Sequence, residues 1–246
     1  MSELEPLKVT QLDDDLYQFQ LDFVHAFLIH DETDGWILID AGFPVKPEHP
    51  NILARALKQI GLRPCDIDQI ISTHSHPDHV GNLDLIEAQS HAPIWMNDVE
   101  ADVLEKRVPM RPVFTLTGGP SNLDHPRAAV PVSNRITGET QLPFAGGIDF
   151  VPTPGHSIGH CSLLWHRHGG VLFTGDLVVN ETGQLRMAAG NENYDQERES
   201  LIKVGQLQFD PLLVSHGDDI LADAADIYRQ ALPRLVAQAQ QAITIQ

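Results

Sequence analysis

The stretch His74-Ser75-His76-Pro77-Asp78-His79 gathers three imidazoles and a carboxylate on one short segment. His74 and His76 are two apart, so on extended backbone their side chains leave the same face. Beyond Pro77 the chain must turn and a helix can start, which separates Asp78 and His79 from the first pair. One such loop can offer two imidazoles to one metal ion and a carboxylate plus an imidazole to a second. This donor set suits zinc, with manganese or iron(II) as alternatives. The lack of a nearby thiolate argues against a structural zinc finger.

Three later positions offer the same donor types. Pro154-Gly155-His156-Ser157 places a histidine on a turn after an apolar run. Gly175-Asp176 places a carboxylate directly after Val171–Phe173, and Ser215-His216-Gly217 places a histidine directly after Leu212–Val214. Asp40 likewise closes the apolar run Trp36–Ile39 and is followed by Ala41-Gly42. The chain has 13 histidines. His25, His30, His49, His91, His125, His166 and His168 read as structural or solvated, and His160 is a candidate to support a ligand.

The elements that must position these donors are legible as a pattern. Residues 7–30 alternate loosely between apolar and polar, which predicts short strands, and Asp34-Gly35 predicts a hairpin turn. Asn51 to Ile60 has helical spacing and stops at Gly61. A strand over Ile67–Thr73 feeds the histidine loop, and a helix is expected over Val80–Gln89, followed by a short strand at Ala92–Met96. Residues 97–135 open with a possible helix and then carry Pro109, Pro112, Gly118-Gly119-Pro120, Pro126 and Pro131. That density of breakers argues against regular structure and predicts a lid or side wall. Strands then recur at Gly138–Leu142, Gly147–Val151, His160–Trp165, Gly170–Thr174 and Pro211–Ser215. Helices are expected over Asp195–Leu207 and over Ile220–Gln240, the latter interrupted by Pro233. Strands first and helices after, twice over, predicts an α/β sandwich of two sheets flanked by helices, read as a single domain over 1–246.

Composition narrows the partners. The 246 residues carry a formal net charge of -18, which disfavours nucleic acid and anionic membranes and leaves a small-molecule substrate. Cys65 and Cys161 sit in no CxxC spacing and read as two reduced, buried thiols. The first residues lack the charge and apolar pattern of a signal peptide, and no apolar run is long enough to span a bilayer, so a cytoplasmic location is expected. Monomer and homodimer both remain open.

The motifs TxHxHxDHxGN at 73–82, TPGHSxGH at 153–160, FTGD at 173–176 and SHG at 215–217, in that order, resemble the metallo-β-lactamase superfamily. The resemblance covers nearly the whole chain and implies the αββα sandwich fold. It implies a first metal ion on His74, His76 and His156, and a second on Asp78, His79 and His216. Asp176 would bridge the two, and Asp40 would stand behind the ligands. Two divalent ions facing Asp78, Asp176 and a bridging hydroxide leave a positive site, able to lower a bound water's pKa toward roughly 7. The hydroxide would attack a carbonyl, with Asp78 orienting it or passing its proton on.

Departures from subfamily patterns narrow the choice. Asp176 is present where β-lactam-cleaving members generally lack the bridge, and His76 is present where diiron redox members carry glutamate. Only about thirty residues follow His216, too few for the glutathione-binding domain of glyoxalase II enzymes. The tyrosine that homoserine lactonases place three residues after the bridge is Val179 here, although Tyr194 could reach the site. The chain is most similar to the glyoxalase II-like and lactonase-like small hydrolases, acting on an ester, thioester or lactone. Met110, Val113, Phe114 and Leu116 would line an acyl pocket or form the insert's own small core. The alternative is a persulfide dioxygenase-like oxidoreductase using a single iron.

Overall fold

The computed structural model of the chain describes residues 4–44, 49–115, 120–121 and 128–244. It divides into two compact units. One comprises Met1–Met96, Ala101–Val108 and Asp124–Arg135, and the other comprises Asn97–Glu100, Pro109–Leu123 and Ile136–Gln246.

In the first unit, β1 (Leu7–Asp13), β2 (Leu16–Leu21), β3 (Val24–Asp31) and β4 (Gly35–Ile39) form an antiparallel meander. Helix α1 (Ile52–Gln59) leads to β5 (Gln69–Ile71), which pairs parallel to β4. Next come α2 (Pro77–Val80), α3 (Leu83–Ser90) and β6 (Ile94–Asn97), which pairs parallel to β5. The Asn51 side chain accepts from the Ala54 N–H and so caps α1, whose apolar positions Ile52, Leu53, Ala56 and Leu57 are all buried. They pack with Leu28, Leu38, Ile70, Leu83, Ile86 and Ile94 in one core. The single helix expected over Val80–Gln89 is two helices, α2 and α3. Between them the Gly81 N–H donates to the Gly42 carbonyl at 2.9 Å, outside either helix.

Helix α4 (Asp98–Leu104) opens the 97–135 segment, as expected. The expectation of no regular structure beyond it is corrected. β7 (Val113–Thr115) pairs antiparallel with β8 (Pro120–Ser121) and, on its other side, with a later strand. β9 (Asn134–Ile136) is the last strand of a seven-stranded sheet ordered β1-β2-β3-β4-β5-β6-β9.

The second unit holds β10 (Thr140–Leu142), β11 (Ile148–Pro152), β12 (Cys161–Trp165) and β13 (Val171–Phe173). Two short strands follow, β14 (Val179–Glu181) and β15 (Gln184–Arg186), then β16 (Gly190–Asn191), which pairs with β7. Helix α5 (Tyr194–Val204), β17 (Leu212–Leu213) and α6 (Ala224–Ile243) complete it. The five-stranded sheet runs β10-β11-β12-β13-β17, with β17 parallel to β13. Leu201 and Val204 of α5 and Tyr228, Leu235 and Ala239 of α6 share its core with Val151, Leu172 and Leu212. Helix α6 starts later than expected and continues through Pro233. The backbone bond that proline removes is offset by the buried residues on both sides of it.

Cys161 is buried and Cys65 is exposed, so only one of the two thiols matches the expected burial. Among the described residues, no helix is long and apolar enough to cross a membrane.

Candidate metal centre

The donors of the first unit lie where β5 ends. β5 ends at Ile71, His76 has extended backbone directly before the first turn of α2, and Pro77 occupies the position where a missing N–H costs nothing. His74, His76 and His79 are buried, with the His74 ring centroid 4.6 Å from that of His76 and 4.0 Å from that of His79. The Asp78 carboxylate is partly exposed and lies 3.8 Å from His79 Nε2.

Asp40 determines how two of these rings are presented. It is buried at the end of β4 with φ +57, a left-handed conformation that aspartate tolerates better than most residues. Its Oδ2 accepts from His79 Nδ1 at 2.9 Å and from the Thr73 hydroxyl at 2.7 Å, and its Oδ1 accepts from the Thr73 N–H at 2.8 Å. Having donated its only proton to Asp40, the Thr73 hydroxyl accepts from His74 Nδ1 at 3.0 Å. Both rings therefore carry their proton on Nδ1 and their lone pair on Nε2, the form a metal requires. Asn82 fixes the turn that holds Asp40. Its amide donates to the carbonyls of Ala41 at 2.6 Å and Phe43 at 3.0 Å, while the Ala41 N–H donates to the His79 carbonyl.

The donors of the second unit come from three strand ends. His156 follows β11, Asp176 follows β13 and His216 follows β17. Their arrangement centres on the aspartate. Asp176 Oδ2 lies 3.3 Å from His156 Nε2, and Asp176 Oδ1 lies 3.3 Å from His216 Nε2. One carboxylate thus turns a separate oxygen toward each imidazole. His160 holds that carboxylate's backbone, its Nε2 accepting from the Asp176 N–H at 3.0 Å. Its Nδ1 then carries the proton and faces the Thr153 carbonyl at 3.0 Å.

Two acids near His156 have shifted ionisation. Complete burial pushes the Glu197 carboxyl well above the usual range, and the negative Asp176 adds to this, while the His156 N–H donated to it at 2.9 Å acts the other way. Burial, reinforced by Glu100, raises Glu192 to about 7. Neither glutamate was expected from the sequence, because each reads there as ordinary helix or loop charge. Thr73 and Asn82 fall inside a quoted motif, but their roles are visible only through their bonds.

The Tyr194 ring is buried and its hydroxyl donates to the Phe114 carbonyl at 2.7 Å. Phe114 is partly buried against the core of the second unit, and Val113 is buried. Leu116 lies outside the described residues.

The donors fit divalent metal. They are imidazoles and carboxylates, two of the rings are held through Nδ1 with Nε2 left as the ligating atom, and one carboxylate faces two rings at once. Among similar proteins, the probable metallo-hydrolase YflN of Bacillus subtilis is 27% identical over 220 residues, covering 80% of this chain and 81% of that protein. The uncharacterized protein YobT of the same organism is 30% identical over 226 residues, covering 86% and 90%. Among solved structures, the subclass B3 metallo-beta-lactamase BJP-1 of Bradyrhizobium japonicum aligns with TM-score 0.74 at 20% identity, covering 98% of this chain and 97% of that one. With its two large mixed sheets and helices, the chain has the fold of that structure. The family model described as the metallo-beta-lactamase superfamily matches residues 20–216, and the chain belongs to that superfamily.

Proposed function

We propose that the chain is a dinuclear metal-dependent hydrolase that cleaves an ester, thioester or lactone bond. In this reading His74, His76 and His156 hold one ion, and Asp78, His79 and His216 hold the other, with Asp176 shared between them. The observation that carries the reading is Asp176, which turns one oxygen to His156 and the other to His216, each at 3.3 Å. A carboxylate that only neutralised a single ion would not need both oxygens so directed. Zinc is the preferred metal for this set of nitrogen and oxygen donors.

Bound divalent ions would supply an activated water and a Lewis acid for the carbonyl oxygen. The chain's own residues prepare for that chemistry. Asp40 and Thr73 hold the Nδ1 sides of His79 and His74 and so aim their Nε2 atoms. Asp78, whose side chain is 21% exposed, is placed to take up a proton and return it to a leaving group. We assign substrate selection to the 97–135 segment, as the lid or side wall of a single domain. The shared aspartate argues against β-lactams as the main substrate, and the formal charge of -18 disfavours polyanionic ones.

The test is a screen of thioesters, lactones, aryl esters and β-lactams on metal-quantified protein. Turnover of one carbonyl class in the zinc- or manganese-loaded form is the expected result. Loss of every such activity in both forms would sink the hydrolase reading.

A further inference from the structure

The turn that carries His156 is held in an unusual way. Within Gly155–Gly159 the Gly155 N–H donates to the Ser157 carbonyl at 3.0 Å. Three other N–H groups of the turn donate to glutamates from separate parts of the second unit. The His156 N–H donates to Glu197 Oε2 at 2.9 Å, the Ile158 N–H to Glu192 Oε2 at 3.0 Å, and the Gly159 N–H to Glu100 Oε1 at 2.9 Å. Glu100 comes from α4, Glu192 from the segment just before α5, and Glu197 from the first turns of α5.

The carbonyls of the same turn are held too. Glu192 and Asn193 donate their own N–H groups to the His156 and Gly155 carbonyls, at 3.1 Å and 2.9 Å. Ser200, three residues after Glu197 and so on the same face of α5, donates its hydroxyl to the Pro154 carbonyl at 2.7 Å. The two glycines of the turn make the approach possible. Gly155 has φ +146, and a Cβ there would overlap the Glu197 backbone, while a Cβ at Gly159 would lie 2.7 Å from Glu100 Cγ.

We propose that Glu100, Glu192 and Glu197 are positioning residues for His156, clamping its turn through the backbone so that the imidazole is fixed before a metal arrives. Glu197 is 0% exposed and Glu100 3% exposed, and a buried polar group is costly unless it is hydrogen-bonded. Each carboxyl oxygen takes a turn N–H and so ties the turn to α5 and α4.

The proposal rests on the reading of His156 as a metal ligand, and the experiment separates the two. Cobalt(II) affinity is measured for both ions by competition with a chelator on Glu197→Ala, Glu197→Gln and His156→Ala, with the cobalt absorption spectrum and the apo melting temperature recorded for each. The clamp predicts that Glu197→Ala weakens one ion by about 10- to 100-fold and alters its spectrum. It also predicts that Glu197→Gln, which keeps an acceptor oxygen for the His156 N–H, restores most of the affinity and the spectrum. His156→Ala should weaken the same ion. If His156→Ala weakens an ion while Glu197→Ala leaves both affinities and the spectrum unchanged, the clamp is wrong and the ligand reading stands. If His156→Ala changes neither affinity, the ligand reading fails and the clamp falls with it. If Glu197→Gln is as impaired as Glu197→Ala, the backbone bond is not what positions the histidine.

Discussion

The two units assemble their donors by different means. In the first, His74, His76, Asp78 and His79 come from one loop, and support reaches the rings themselves through Asp40 and Thr73. In the second, His156, Asp176 and His216 come from three strand ends. There, support reaches the backbone, through Glu197 for His156 and through His160 for Asp176. The difference follows from chain connectivity. A contiguous loop fixes the spacing of its donors by itself, and what remains to be chosen is the tautomer and tilt of each ring. Donors from separate strands have no shared spacing, so the backbone at each strand end must be fixed first.

This contrast can be broken by substitution, beginning with the largest effect. Asp176→Asn removes the charge that faces His156 and His216. Turnover of the best substrate should fall roughly a thousandfold, equivalent to several kcal/mol of lost stabilisation, and metal content should drop. Wild-type metal content and turnover in this variant would show that Asp176 bridges nothing.

Asp40→Ala should be milder. It leaves every direct ligand in place but releases His79 and Thr73, so the ion on Asp78 and His79 should weaken by about 10- to 100-fold. Chelator competition would show whether the loss falls on that ion alone. An equal loss at both ions would mean that ring support and backbone support are not separate. The smallest effect is expected from Tyr194→Phe, which removes one hydrogen bond to Phe114 at the core of the second unit. Stability measured by denaturant should fall by about 1 kcal/mol with turnover unchanged. A tenfold drop in turnover would return Tyr194 to the substrate site.

The first unit's donors were the more legible in sequence for the reason given above. HxHxDH concentrates its chemistry in a few residues, and the capping Asn51 and terminal Gly61 marked α1 with comparable clarity. In the second unit the donors were found only because each ends an apolar run. What could not be read was whatever depends on pairing between distant segments. β7, β8 and β16 are two or three residues each and have no periodicity of their own. The same holds for β14 and β15, whose turn at Thr182-Gly183 takes positive φ at both residues. Helix α6 continued past Pro233 because tertiary packing overrode a local breaker. Glu197 was illegible for a related reason. On a helix, a buried acid and an exposed one look alike until the partner N–H is known.

The central claim is that seven side chains, His74, His76, Asp78, His79, His156, Asp176 and His216, hold two metal ions for hydrolysis. The most direct measurement is metal stoichiometry during stepwise zinc loading, followed alongside hydrolysis of the best carbonyl substrate. The account predicts two ions per chain, with turnover rising through the second equivalent and lost on chelation. A single iron per chain, with oxygen consumed and no carbonyl substrate cleaved, would contradict it.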